Sequence, residues 1–116
     1  MTKEEASTRF QIPVEILDEY ESWGLCGSVK QVMGRWQYDD QDLERLSTIM
    51  ALHDMGFTVE EVESYMRLLL SDEDTAKERM HMLEARRNAA LNEIHLKEQQ
   101  LQRLDYLRFK MQPKKA

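Results

Sequence analysis

The feature that most constrains this chain is a long helical pattern over its last third. Neither glycine nor proline occurs between Gly56 and Pro113, and a helix over residues 75–111 would be about 55 Å long at the standard rise per residue. Apolar residues recur along it in the steps of three, four and seven that are typical of a coiled coil. They are Met80, Leu83, Ala90, Ile94, Leu101, Leu104 and Met111. We predict that these residues pair the helix with a second copy of the chain.

This pairing is favoured over folding of the helix against its own domain. An isolated helix with an apolar stripe is marginal in water, and a chain of 116 residues leaves only a small body to cover it. The predicted organisation is a head domain over residues 1–70, a dimerisation helix over residues 71–112, and a disordered tail over residues 113–116. No apolar run approaches a membrane span and no secretory leader is visible, so we expect a cytoplasmic protein.

The net charge of −6 is distributed unevenly along the chain. Residues 39–74 hold two basic and eleven acidic side chains, whereas residues 75–116 hold ten basic and five acidic ones. An acidic chain is a poor candidate for tight non-specific binding to nucleic acid, because phosphate neutralisation supplies most of that affinity. These counts give residues 39–74 a net charge of −9 and residues 75–116 a net charge of +5.

No arrangement of residues indicates catalysis, a metal or a cofactor. Cys26 is the single cysteine, so it forms no intramolecular disulfide. His81 and His95 lie two heptads apart, which is too far for one metal site within a helix. There is neither a glycine-rich phosphate loop nor a nucleophile with a candidate base. We expect a protein that is not an enzyme and that needs no cofactor.

The first part of the chain predicts two short helices and a ribbon. Thr2 and Glu5 have capping-box spacing, which favours a helix over residues 3–10. Pro13 opens a second helix that reaches residue 23, and the joint between the two is typical of a helix-turn-helix. Residues 24–38 are rich in glycine and in β-favouring side chains and predict a two-stranded wing.

Two further helices follow and complete a mostly α fold. Residues 39–55 carry an apolar stripe with a period of three, after an acidic start that suits a helix N-terminus. The stripe consists of Leu43, Leu46, Ile49 and Leu52. Thr58 and Glu61 repeat the capping box before a helix that runs to residue 70. Its apolar side consists of Val59, Val62, Met66 and Leu69.

These elements, in this order, resemble the MerR family of transcriptional regulators. The most specific match is YDDQDLERLSTIMALHDMGFTVEEV, which covers residues 38–62. The matching positions are Tyr38, Asp42, Leu43, Leu46, Ile49, Leu52, Gly56, Phe57, Thr58 and Glu61. The resemblance implies a homodimer with an antiparallel helix pair, whose two winged helix-turn-helix heads meet successive half-sites of a pseudo-palindromic promoter.

The resemblance also implies which residues contact DNA. Val14, Glu15, Asp18 and Tyr20 lie on the helix that corresponds to the recognition helix. Lys30, Arg35, Trp36 and Tyr38 lie on or beside the predicted wing. For Trp36, packing on an adjacent helix is favoured over contact with DNA, because aromatic residues on a ribbon usually pack.

The predicted DNA-binding surface departs from the family pattern in its charge. The family usually has an arginine two residues before the tyrosine that matches Tyr20, and Asp18 stands there in this chain. The wing arginine, Arg35, is also shifted by one place. A carboxylate is repelled by phosphate, so two functions stay open. The first is DNA-binding transcriptional regulation, and the alternative is a protein-binding adaptor or antagonist that keeps the fold.

Overall fold

The computed structural model describes residues 1–25, 31–32 and 35–113. Its elements are α1 (Lys3–Phe10), α2 (Val14–Ser22), β1 (Gln31–Val32), β2 (Arg35–Trp36), α3 (Asp40–Asp54), α4 (Val59–Leu69) and α5 (Ala76–Met111). The predicted mostly helical fold with a long C-terminal helix is confirmed. Contacts divide the chain into two compact units, Met1–Arg79 and Met80–Ala116.

The helices begin at the residues whose side chains satisfy free N–H groups. Thr2 accepts from the amide of Glu5 at 3.2 Å. Asp39 forms a reciprocal capping box with Asp42, and Thr58 forms one with Glu61. Each cap has extended backbone angles, so the cap itself lies outside the helix. This is why α3 begins one residue later than the sequence predicted.

Helix α1 has the predicted bounds, whereas α2 and α5 differ slightly from theirs. The C-cap of α1 is Gln11, whose positive φ of 55° reverses the chain. Helix α2 is shorter by one residue at each end, because Pro13 and Trp23 are its caps. Helix α5 begins at Ala76, whose amide donates to Asp74 Oδ1 at 3.0 Å.

The core of the first unit lies between the first four helices. Its buried apolar side chains are Ala6, Ile12, Leu17, Tyr20, Trp23, Tyr38, Leu46, Ile49, Leu52, Phe57, Val62 and Met66. Three of the four predicted stripe residues of α3 are among them, and Leu43 is half-buried. The prediction for α4 was wrong for Val59 and Leu69, which are exposed. They are the first and last residues of α4, so neighbouring helices cover only the middle turns.

A short antiparallel ribbon follows α2. Strands β1 and β2 pair Gln31 with Trp36 and Val32 with Arg35. The chain after the ribbon is bound to the start of α1, because Thr2 and Gln37 form an antiparallel bridge. The amide of Tyr38 also donates to the carbonyl of Met1 at 2.7 Å. That the ribbon serves as a DNA-contacting wing stays a prediction.

The loop between α4 and α5 is fixed by a buried threonine. The hydroxyl of Thr75 donates to the carbonyl of Leu68 at 2.6 Å and accepts from Arg79 Nε at 3.1 Å. In the second unit, no described side chain is fully buried. Among the described residues, no helix is both long and apolar enough to cross a membrane.

Candidate nucleic-acid interface

Helix α2 has one exposed face and one buried face. Val14, Glu15 and Asp18 are exposed and lie within one helical turn, on the same side of the helix. Leu17 and Tyr20, three residues apart, are fully buried on the other side. The predicted recognition helix therefore presents a narrow surface made of an apolar side chain and two carboxylates.

Tyr20 belongs to the core rather than to this surface. It has no exposed area, and its hydroxyl donates to Asp42 Oδ1 at 2.6 Å. Arg45 Nη1 lies 3.4 Å from the same hydroxyl and donates to the carbonyl of Leu25 at 3.0 Å. The prediction that Tyr20 contacts DNA directly is therefore corrected: it fixes α2 against α3.

Tyr38 is corrected in the same way. Its side chain is buried, and its hydroxyl donates to Glu21 on α2. The rings of Tyr38 and Tyr20 lie 6.5 Å apart in a tilted arrangement, which is a favourable geometry for two aromatic rings. Tyr20 thus connects α2 to α3, and Tyr38 connects α2 to the chain that follows the ribbon.

Lys3 on α1 neutralises part of the acidic surface of α2. Its ammonium forms an ion pair with Asp18 and lies 3.4 Å from Glu21 Oε2. The hydrogen bond to Asp18 and the charge of Glu21 hold the pKa of Lys3 above its ordinary 10.5, although partial burial opposes this. Lys3 is therefore protonated at neutral pH, and the charge of Asp18 is offset by a neighbour.

Glu19 also has a partner within the head. His53 Nε2, on α3, lies 3.0 Å from Glu19 Oε2, and both side chains are about three-quarters buried. Among the described residues, Glu15 is thus the one carboxylate of α2 for which no partner is found. The four acidic side chains of α2 therefore differ in whether their oxygens are free to bind a ligand. The sequence alone does not reveal this difference.

Two arginines from the acidic middle segment stabilise the end of α2. Arg67 donates to the carbonyl of Trp23 at 3.0 Å, as Arg45 does to Leu25. Helix α2 has no basic residue in its last turn, and cations are favourable at a helix C-terminus. Arg67 and Arg45 supply that charge from α4 and α3.

The remaining predicted DNA contacts lie on the ribbon. Lys30 lies outside the described residues, and so do the side chains of Arg35 and Trp36. Their roles stay predictions. Of the contacts described above, sequence reasoning missed those of Lys3, His53, Arg45 and Arg67. Their partners are 15 to 44 residues away in the chain, and no local motif marks such pairs.

The predicted dimerisation residues lie on α5. Ile94, Leu101, Leu104 and Met111 are exposed by 52%, 57%, 58% and 85%. Met80 is also exposed, whereas Leu83 and Ala90 are half-buried. Within residues 1–25, 31–32 and 35–113, no three histidine, cysteine or carboxylate side chains lie where they could hold a metal ion together.

Comparisons with known proteins agree with this architecture. No curated protein sequence matches the chain significantly. A solved MerR family transcriptional regulator from Listeria monocytogenes has a TM-score of 0.70 and 23% identity, over 91% of this chain and 81% of that one. HiNmlR, described as a MerR family regulator that lacks the sensor domain and is bound to promoter DNA, has a TM-score of 0.67 and 24% identity, over 90% and 84%.

A MerR family regulator from Bacillus thuringiensis has a TM-score of 0.64 and 15% identity, over 95% of this chain and 97% of that one. At these identities the likeness shows a shared fold. The sequence model of the MerR HTH family of regulatory proteins matches residues 1–69, which is more than half of the chain. The chain therefore belongs to the MerR family of helix-turn-helix regulatory proteins.

Proposed function

We propose that this protein is a DNA-binding transcriptional regulator that acts as a homodimer on a pseudo-palindromic promoter site. The observation that carries the proposal is the exposed face of α2 within a MerR-family head, where Lys3 already neutralises Asp18. HiNmlR, which shares the fold, is described as bound to promoter DNA.

The electrostatic objection to DNA binding is weaker than the sequence suggested. A lone carboxylate beside a phosphate costs about 1 kcal/mol at 4 Å in water and more where water is excluded. Asp18 is paired with Lys3, whereas Glu19 lies largely buried beside His53, and Glu21 lies largely buried beside Lys3 and Tyr38. Three of the four α2 carboxylates therefore have donors within the head itself.

The homodimer is supported by the pattern and exposure of α5. The helix holds 36 residues, and Ile94, Leu101 and Leu104 are each more than half exposed in the single chain. An apolar seam of this length is an association site. Two linked heads would bind two half-sites with higher avidity than one head, which compensates for few phosphate contacts.

The proposal is tested by titrating the full chain with two duplexes of equal length at physiological salt. One spans the promoter region of its own gene and the other has a random sequence. Fluorescence anisotropy should show tighter binding to the promoter duplex by about 10³-fold, a typical ratio of specific to non-specific affinity. Equal and very weak binding to both duplexes would count against DNA-dependent regulation.

A second candidate function is a protein-binding adaptor, and a specific observation favours it. The exposed face of α2 bears Glu15 and Asp18, and α2 has no basic residue. Charge reversal separates the two functions. Asp18→Arg should raise DNA affinity if α2 faces phosphates, because it replaces a repelled group with an attracted one. If DNA binding stays at the wild-type level, α2 does not face DNA and the adaptor function is favoured.

A further inference from the structure

We infer that Glu15 determines base specificity, by accepting a hydrogen bond from the 4-amino group of a cytosine in each half-site. The inference rests on the proposed DNA-binding function and names the sequence class that α2 reads. Glu15 lies in the first turn of α2 and is exposed. In helix-turn-helix proteins, the N-terminal residues of the recognition helix are those that contact base edges.

The chemistry of the major groove limits what a carboxylate can read. An ionised carboxylate accepts hydrogen bonds and donates none. Guanine presents two acceptors and thymine an acceptor with a methyl group, so neither base offers Glu15 a donor. Adenine has a donor beside the N7 acceptor, which repels a second acceptor. Cytosine offers its amino group, which is the donor that Glu and Asp accept in the groove.

Glu15 is the α2 carboxylate best suited to this contact. Asp18, Glu19 and Glu21 accept from Lys3, His53 and Tyr38 respectively. Glu15 has no such donor among the described residues, so both of its oxygens remain available.

Val14 adds a neighbouring contact of another kind. Its side chain is 48% exposed next to Glu15, and an aliphatic group suits the methyl of thymine. The exposed start of α2 therefore combines an acceptor for cytosine with an apolar contact for an adjacent thymine.

A purely structural role for Glu15 makes a different prediction. Pro13 at the N-cap of α2 offers no side-chain hydrogen bond, and an acidic residue in the first turn stabilises a helix through its dipole. Glu60 is the matched control, because it is also an exposed glutamate in the first turn of a helix, α4. Both residues share the dipole effect, and only Glu15 lies on α2.

The test selects binding sequences from a duplex library with two inverted, randomised half-sites, using the full chain. The wild type should enrich a C·G pair at one position of each half-site. Glu15→Gln should shift that position towards A·T, because an amide pairs with both N6 and N7 of adenine. Glu60→Gln should keep the wild-type preference.

A second measurement changes the base instead of the protein. The enriched cytosine is replaced by 2-pyrimidinone, which lacks the 4-amino group. The wild type should lose about tenfold in affinity, and Glu15→Ala should lose less than about twofold, since its side chain makes no such contact. Circular dichroism verifies that Glu15→Gln, Glu15→Ala and Glu60→Gln are folded.

The outcomes separate this inference from the function on which it rests. An enriched site whose base preference is the same in Glu15→Gln and the wild type overturns the role of Glu15 and leaves DNA-dependent regulation in place. Absence of any enriched sequence for the wild type overturns both.

Discussion

Lys3 is the residue that sets the effective charge of the exposed face of α2. It extends from α1 to Asp18 and Glu21, and its side chain is 29% exposed. Lys3 therefore interacts with two carboxylates: that of Asp18, which is exposed, and that of Glu21, which is largely buried. The ammonium of Lys3 thus offsets part of the negative charge that these carboxylates would present to a phosphate.

Lys3→Met should weaken binding to the promoter duplex about five- to tenfold, because Asp18 then faces phosphate without its partner. Methionine keeps most of the packing of the lysine stem. The double variant Lys3→Met/Asp18→Asn should recover most of the loss, as measured by anisotropy. Lys77→Met, an exposed lysine in the first turn of α5, controls for the change in net charge. A loss of the same size in this control would contradict the role of Lys3.

The raised pKa of Lys3 predicts the pH range in which its contacts stabilise the head. A group whose pKa is higher in the folded state stabilises that state fully below its unfolded pKa, here 10.5. This contribution is lost as the pH rises through the folded value. The difference in melting temperature between the wild type and Lys3→Met should be constant from about pH 6 to 9 and should shrink above about 10.5. A difference that already shrinks near neutral pH would disagree with this assignment.

Tyr20 shows how a buried hydroxyl binds two helices. Tyr20→Phe removes the donor to Asp42, a carboxylate with only 1% of its surface exposed. We expect the free energy of unfolding to fall by about 1.5–3 kcal/mol, because hydrogen bonds to charged groups are strong and the acceptor stays buried. Urea denaturation measures this loss. Tyr106→Phe, at a ring that is 61% exposed, should change stability very little, and an equal loss there would refute the argument.

At the scale of elements, the caps were predictable from the sequence and the pairings between helices were not. Thr58 and Glu61 are three residues apart, so their reciprocal bonds at 3.2 and 2.9 Å follow from a local motif. Tyr20 lies three residues after Leu17, a spacing that marks the buried face, yet only the fold reveals Asp42 as its partner. The pair formed by Glu19 and His53 spans 34 residues. Such contacts depend on how α2 packs against α3, which no short pattern encodes.

The contribution of the capping box of α4 to stability can be measured by substitution. Thr58→Ala removes an acceptor for the amide of Glu61 and should lower the free energy of unfolding by about 1 kcal/mol. Thr8→Ala provides the comparison, because Thr8 is exposed within α1 and caps no helix. Thermal denaturation of both variants decides between a capping effect and a general effect of losing a hydroxyl. Similar losses in the two variants would favour the general effect.

At the scale of the whole molecule, the proposed assembly depends on one face of α5. Leu101 lies in the predicted seam, whereas Leu96 lies on another side of the helix, and both are more than half exposed in the single chain. Because both are leucines of similar exposure, any difference between the same substitution at the two positions reflects their place on the helix.

Leu101→Glu should convert the dimer into a monomer in sedimentation velocity, because a buried charge in an apolar seam is costly. Leu96→Glu should remain a dimer. The monomeric variant should also lose affinity for duplexes with two half-sites far more than for a single half-site. A wild-type monomer, or equal effects of the two substitutions, would contradict the proposed seam.

The bridge between Thr2 and Gln37 has a consequence for the order of folding. It closes a loop of 34 intervening residues, and such closure costs about 3 kcal/mol of chain entropy before any contact within the loop is counted. The hairpin of α3 and α4 needs no comparable closure, since only four residues separate these helices. We expect contacts between residues that are close in the sequence to form before contacts between residues that are far apart in it. Helix α2 lies inside this loop, so we expect its exposed face to reach its final orientation late in folding, when the two ends of the loop have joined.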